Sequence, residues 1–229
     1  MTSEAAPVHA AGDLLAGVLP PDVVAVACFD DPPGTVLFPE EEAAIARAVD
    51  KRRREFTTVR RCAREAFALL GVPAAPLLPG ERGAPAWPDG LVGSMTHCAG
   101  YRAAAVAPAA RIRTLGIDAE EAAPLPGGVL GSVSSPGERT ALAGLAAGVP
   151  GVPWDRLLFS AKEAVYKAWF PLTRRWLGFE DAEVRFDPAA GTFHARLLPD
   201  DRPAGLDGFT GRWAVAGGIV VTAIAVRAD

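Results

Sequence analysis

The strongest constraint on the fold is a pair of long helical stretches, residues 40–70 and 155–169, set among short apolar runs of strand length. In the first, Ile45, Val49, Phe56, Ala63, Phe67 and Leu70 recur at spacings near three, four or seven, the period of an amphipathic helix. In the second, Leu158, Val165 and Trp169 mark an apolar stripe. A stripe of this kind must be buried, and the runs at 23–28, 101–107, 114–118, 182–186, 192–197 and 212–226 supply strands to bury it. The pattern predicts an α+β chain in which strands and helices occur twice, in halves 1–113 and 114–229. No residue-level repeat links the halves, so the duplication is one of architecture only.

Local signals punctuate these elements. Asp31-Pro32-Pro33-Gly34 breaks the first strand, and Gly71-Val72-Pro73 stops the first helix. Ser135-Pro136-Gly137-Glu138 reads as a capping box with proline at the first helical position, opening a helix to about residue 147. Gly217-Gly218 folds the last apolar run into a hairpin. A Pro/Gly-rich loop, residues 73–90, leads to Gly93-Ser94-Met95-Thr96-His97.

Composition narrows the functional classes. Half the residues are hydrophobic and 22% are charged, enough for a sizeable core. A net charge of −4 argues against nucleic acid as partner, because neutralising phosphates needs surplus Lys and Arg. Cys28, Cys62 and Cys98 are odd in number and form no CxxC pair, which favours neither disulfides nor structural zinc and fits a reducing cytoplasm. The start, with Glu4, His9 and Asp13, lacks the cationic region of a signal peptide. The uncharged stretches 140–154 and 213–226 are interrupted by Gly or Pro and fall short of the roughly 18–20 residues of a membrane span.

Four clusters carry chemistry. Asp118 and Glu120, at i and i+2 of a strand, share one face, while Leu115 and Ile117 take the other. Two acids on one face repel unless a cation lies between them; two solvated acids at a strand end are the alternative. Within the second helix, Lys162, Glu163 and Lys167 stand among Phe159, Val165, Tyr166 and Trp169. Glu163 and Lys167 suit either a helical ion pair or a site where carboxylates hold Mg2+ and lysines balance phosphate. Lys51-Arg52-Arg53-Arg54 with Arg60, Arg61 and Arg64 is a local basic cluster in an acidic protein, a solvated surface or a phosphate grip. With no GxxxxGK[ST] or GxGxxG sequence, phosphates fall to side chains. His97 stands alone, and no serine-hydrolase triad can be assembled.

In this order and spacing the four clusters resemble the Sfp-type 4′-phosphopantetheinyl transferases, most nearly the PptT/EntD-like branch. The resemblance rests on RRREFTTVRRCARE, PAWPDGLVGSMTHCAGY, GIDAE and FSAKEAVYKAWFPLTRRWLGFEDA, and extends over residues 37–186. It implies a pseudo-symmetric pair of α+β halves with coenzyme A in the cleft between them. It implies metal-binding carboxylates at Asp118, Glu120 and Glu163, and pyrophosphate lysines at Lys162 and Lys167. Arg52 and Arg60 match residues that hold coenzyme A, chiefly its 3′-phosphate; His97 matches a phosphate contact, and Ser94 and Thr96 lie in the same cofactor-lining loop. One departure is Pro79, where relatives often carry lysine; Arg82 is the cation three residues on. Another is Glu121, where a close relative would have proline.

The implied reaction moves phosphopantetheine from coenzyme A to a serine of an acidic apo carrier protein and releases 3′,5′-ADP, with Mg2+ or Mn2+. Lys162 and Lys167 stabilise charge and Glu163 is the candidate general base. Arg174, Arg175 and Trp176 are candidates for carrier docking on electrostatic grounds, with core packing the alternative for Trp176. The layout of two halves in one chain implies a monomer. An Mg2+-dependent hydrolase of the coenzyme A pyrophosphate and a coenzyme A-binding regulator stay open at this point.

Overall fold

The computed structural model describes residues 14–228, so the expectation resting on Glu4, His9 and Asp13 lies outside the described residues. The fold is α+β, with two antiparallel sheets and a long helix on each. The first sheet contains β1 (Val24–Cys28), β2 (Leu91–Cys98) and β3 (Tyr101–Pro108) in the order β1-β3-β2. The second contains β4 (Ile112–Glu121), β5 (Ala182–Asp187), β6 (Thr192–Leu197), β7 (Gly208–Ala216) and β8 (Ile219–Arg227) in the order β4-β8-β7-β6-β5. The chain changes sheets at the short turn 109–111.

Strand β3 shows how the layers form. Successive side chains of a strand point to opposite faces. Ala104 and Val106 therefore meet Cys62, Ala63, Ala66 and Phe67 of helix α2 (Asp50–Leu69). Ala103, Ala105 and Ala107 meet Leu115, Ile117 and Ala119 of β4. Both faces are buried, and small alanines let the layers approach closely. On the second sheet, helix α5 (Trp154–Thr173) packs Leu157, Ala161, Ala164, Ala168 and Trp169 against Val184, Phe193, Val220 and Ile224. The Gly217–Gly218 hairpin between β7 and β8 forms as expected, with positive φ at both glycines.

The helix expected over residues 40–70 is two helices, α1 (Pro39–Ala44) and α2. Glu41 decides this. It is fully buried, and its carboxylate accepts from Arg64 Nη1 at 2.9 Å, Leu77 N at 2.8 Å and Phe38 N at 3.0 Å. At about 1.5 Å per residue, an unbroken helix would hold Glu41 roughly 35 Å from Arg64. The chain turns at 45–49 to close that pair.

Helix α3 (Val129–Val133) is short, and α4 (Pro136–Gly148) opens with the expected capping box: Glu138 N donates to Ser135 Oγ at 3.1 Å, and Ser135 N to Glu138 Oε2 at 2.7 Å. Helix α5 outruns its expected end at 169. Pro171 falls in its last turn, and Arg174 in the left-handed region closes the helix by donating its N–H to Phe170 O at 2.8 Å. Among the described residues no helix is long and apolar enough to cross a membrane.

The sheets meet edge to edge without a shared backbone ladder. Gly93-Ser94-Met95-Thr96-His97, expected in a cofactor-lining loop, belongs to β2 instead. Ser94 Oγ accepts from Ile117 N at 3.1 Å, and Thr96 Oγ1 accepts from Ala119 N at 3.0 Å. Two hydroxyls at i and i+2 thus satisfy buried amides on the free edge of β4, which would otherwise be costly to leave unpaired.

Candidate active site

A cleft of about 700 Å3 opens where the two sheets meet, lined from the first half by Arg52, Ser94 and His97 and from the second by Glu163, Tyr166 and Lys167. Gly116 makes this geometry possible. A Cβ there would stand 2.8 Å from the Ala168 nitrogen and closer still to the Ala164 carbonyl oxygen. Only glycine lets α5 lie directly on β4. Thr114 Oγ1 then donates to Ala168 O at 2.7 Å, and Lys167 Nζ donates to Ile117 O at 3.0 Å and Asp118 Oδ1 at 2.7 Å.

Asp118 is the centre of the acidic group. It is 4% exposed; Oδ1 takes Lys167 and a 3.2 Å bond from Thr96 Oγ1, while Oδ2 is buried without a hydrogen-bond partner among the described residues. Burial pushes the Glu163 carboxyl above its ordinary value; Lys167 opposes this and Asp118 adds to it. Burial and then Asp118 push Glu120 up, against Arg156 and Lys167. Both glutamates thus feel the same aspartate. The side chains as they stand form no cluster of three metal-holding groups among the described residues; Asp118 is paired to Lys167 and Glu120 to Arg156 Nη1 at 2.9 Å.

On the opposite wall, Arg52 Nη1 lies 2.8 Å from His97 Nε2. Arginine only donates, so Nε2 is the acceptor and Nδ1 carries the proton, facing Glu55 Oε2 at 3.6 Å. Burial holds His97 below its ordinary value; Glu55 opposes this, while Arg52, Lys167 and Arg102 add to it. Arg60 also lines the cleft, with its guanidinium held by the protein. It is 4% exposed, stacks 3.0 Å over the Phe56 ring and donates Nε to Leu77 O at 2.8 Å. Burial pushes it down to about 10, with Glu41 opposing.

Lys162 is not in the cleft. Its Nζ donates to Glu138 Oε2 at 2.9 Å and Phe179 O at 2.8 Å, and the residue is 3% exposed. Burial depresses its basicity and Glu138 restores part of it. The reason is helical geometry, since consecutive residues point about 100° apart. Glu163 and Lys167, four apart, share the face turned to β4, and Lys162 points toward α4. Thr96, Asp118 and Glu120 lie beneath and beside the cleft rather than on its wall. Pro79 and Arg82 both line it.

Two residues were missed by reading the sequence. Tyr166 lines the cleft with a hydroxyl oxygen that is buried and unpartnered among the described residues. Arg156 binds Glu120, and its seven-residue spacing from Glu163, two helical turns, was the available signal.

Comparison with known proteins identifies the family. Residues 40–107 match the 4′-phosphopantetheinyl transferase N-terminal domain, and residues 114–216 match the 4′-phosphopantetheinyl transferase superfamily. The chain is 60% identical over 221 residues to 4′-phosphopantetheinyl transferase Svp of Streptomyces mobaraensis, covering 94% of this chain and 90% of that protein. It is 51% identical over 225 residues to 4′-phosphopantetheinyl transferase PptT of Mycobacterium tuberculosis, covering 93% and 98%. It is 50% identical over 219 residues to 4′-phosphopantetheinyl transferase Npt of Nocardia iowensis, covering 91% and 97%. These matches over both halves of the chain show that it belongs to the 4′-phosphopantetheinyl transferase superfamily.

Proposed function

We propose that this transferase moves the 4′-phosphopantetheine of coenzyme A to a serine hydroxyl of an acidic apo carrier protein, with a divalent cation, and releases 3′,5′-ADP. The observation that carries the reading is the buried, unpartnered Oδ2 of Asp118, a carboxylate that electrostatically opposes the ionisation of both Glu120 and Glu163. Such an arrangement fits a hard divalent cation, Mg2+ or Mn2+, held by Asp118, Glu120 and Glu163. When bound, the cation neutralises charge on the pyrophosphate oxygens.

The residues of the chain do the rest. Lys167 reaches from Asp118 toward the cleft and offsets phosphate charge. Arg52 and His97 hold the 3′-phosphate, the guanidinium as a planar donor. Glu163 accepts the proton of the attacking serine. Arg60 supports this wall from behind.

For carrier docking, Trp176 is 63% exposed, lies against Tyr166 with ring centroids 5.1 Å apart and planes tilted by 56°, and carries the Arg82 guanidinium at 5.5 Å. Arg174 borders the cleft next to it, whereas Arg175 is tied to Asp201. An apolar surface rimmed by cations suits an acidic partner. Trp176→Ala should raise KM for the carrier about tenfold, a loss typical of an exposed aromatic anchor, and leave coenzyme A affinity unchanged. Equal loss for both substrates would place Trp176 in the coenzyme A site instead.

The test of the reaction is direct. The protein is incubated with coenzyme A, Mg2+ and an apo carrier domain, with and without chelator, and the carrier is weighed by mass spectrometry. Metal-dependent gain of one phosphopantetheine is the expected result. Free phosphopantetheine would mean hydrolysis, and no change would mean binding alone.

Proton linkage provides a separate check. Burial keeps His97 neutral near pH 7, and an arriving phosphate favours the imidazolium. Coenzyme A binding should therefore take up protons, since the bound value exceeds the free one. Calorimetry in buffers of different ionisation enthalpy should show this uptake, and His97→Asn should remove it. Uptake that survives the substitution excludes His97 as the phosphate contact.

A further inference from the structure

We infer that Arg156 is a positioning residue that fixes the Glu120 carboxylate for cation binding. The inference rests on the reading of Glu120 as one of the cation-holding groups. Arg156 stands near the N-terminus of α5, and its guanidinium makes three hydrogen bonds to the chain leaving β4. Nε donates to Ala123 O at 3.0 Å, Nη2 to Pro124 O at 3.0 Å and Nη1 to Glu120 Oε2 at 2.9 Å. Its neighbour completes the clamp: Asp155 Oδ2 accepts from Leu125 N at 2.8 Å and Asp155 Oδ1 from Arg156 N at 2.8 Å. A planar fork held at two carbonyls has little freedom to move, so the carboxylate on its third edge is fixed too. Side-chain exposure is 16% for Arg156 and 22% for Glu120, so the pair is shielded from water at its joint.

The direction of the effect follows from the geometry. A guanidinium repels a nearby cation, and it also orients the carboxylate that would bind one. Arg156 turns two of its three edges to backbone carbonyls and engages only Oε2 of Glu120, which leaves Oε1 without an Arg156 contact. It is absent from the cleft wall. Orientation outweighs repulsion. Groups that hold a metal-binding side chain in place commonly contribute about 10–100-fold in metal affinity.

The experiment is a titration of the full chain with Mn2+ alone, following loss of the free-ion electron paramagnetic resonance signal. Arg156→Gln should weaken Mn2+ binding about tenfold or more. Arg156→Lys, which keeps the charge but reaches fewer acceptors, should fall between it and the parent. Coenzyme A affinity measured with chelator present should be equal in all three, which a general loss of structure would not allow. Steady-state assays should show the KM for Mn2+ raised and kcat recovered at saturating metal. Unchanged or tighter Mn2+ binding by Arg156→Gln overturns the proposal. If that variant does not fold, parent-like Mn2+ binding by Arg156→Lys overturns it equally, and weaker binding supports it. Glu120→Gln, titrated in parallel, separates the two levels. If it binds Mn2+ as the parent does, the reading of Glu120 fails and the role of Arg156 fails with it.

Discussion

Glu138→Ala should lower the thermal midpoint by about 6–20 °C, the equivalent of roughly 3–5 kcal/mol in a chain of this size. Glu138 is 2% exposed and joins three elements, α4, β5 and α5. It closes the α4 capping box at Ser135 N, accepts from Val184 N of β5 at 2.8 Å through Oε1, and pairs with Lys162 of α5. Lys162 in turn holds Phe179 O. Alanine would strand a buried ammonium and two backbone amides together, and unpaired buried charge is the costliest of these. Lys162→Met should cost less, because the carboxylate keeps its two backbone donors. Calorimetric scans of both variants measure the order. Coenzyme A affinity of folded Lys162→Met, measured well below its midpoint, should match the parent. A shift under about 2 °C for Glu138→Ala would contradict the buried-charge account. A selective loss of coenzyme A affinity in Lys162→Met would return that lysine to the cleft.

The second large effect is expected at Gly116. A single methyl there meets backbone atoms of α5 rather than a flexible side chain, so the helix must shift. Overpacking of this kind costs about 1–3 kcal/mol. The functional cost is larger, because α5 carries Glu163 and Lys167 past Asp118 on β4. A displacement of about 1 Å at reacting groups can cost 100-fold, and kcat/KM for Gly116→Ala should fall by about that factor. The fall should appear in folded protein, at temperatures well below the midpoint. Loss of stability with parent-like kcat/KM would show that the helix tolerates the methyl without moving the site.

Elements with a clear period were legible in the sequence. The apolar runs became strands because short continuous apolar stretches bounded by turn residues suit strands buried on both faces, and Gly217-Gly218 marked a hairpin that formed. Asp118 and Glu163 were placed near each other through their motifs, and the structure brings them within electrostatic reach. What escaped were features decided by partners distant in the chain. Glu41 bends residues 39–69 into two helices because Arg64 and Leu77 lie on the other side of the bend. Ser94 and Thr96 were read as cofactor-lining; Ser94 does line the cleft and Thr96 does not, and both hydroxyls also serve β4 amides more than 20 residues away. Lys162 was grouped with Glu163 and Lys167 by adjacency, although a helix separates neighbours and joins residues four or seven apart. Arg60 looked like its cationic neighbours until burial against Phe56 set it apart.

The seam between the sheets has a further consequence. A backbone ladder can change only in two-residue steps, because a one-residue slip turns every side chain to the wrong face. A joint made by the Ser94 and Thr96 hydroxyls obeys no such quantisation. Its width follows the length and polarity of two side chains, so the mouth of the cavity can be adjusted in fractions of an ångström while both sheets keep their internal register.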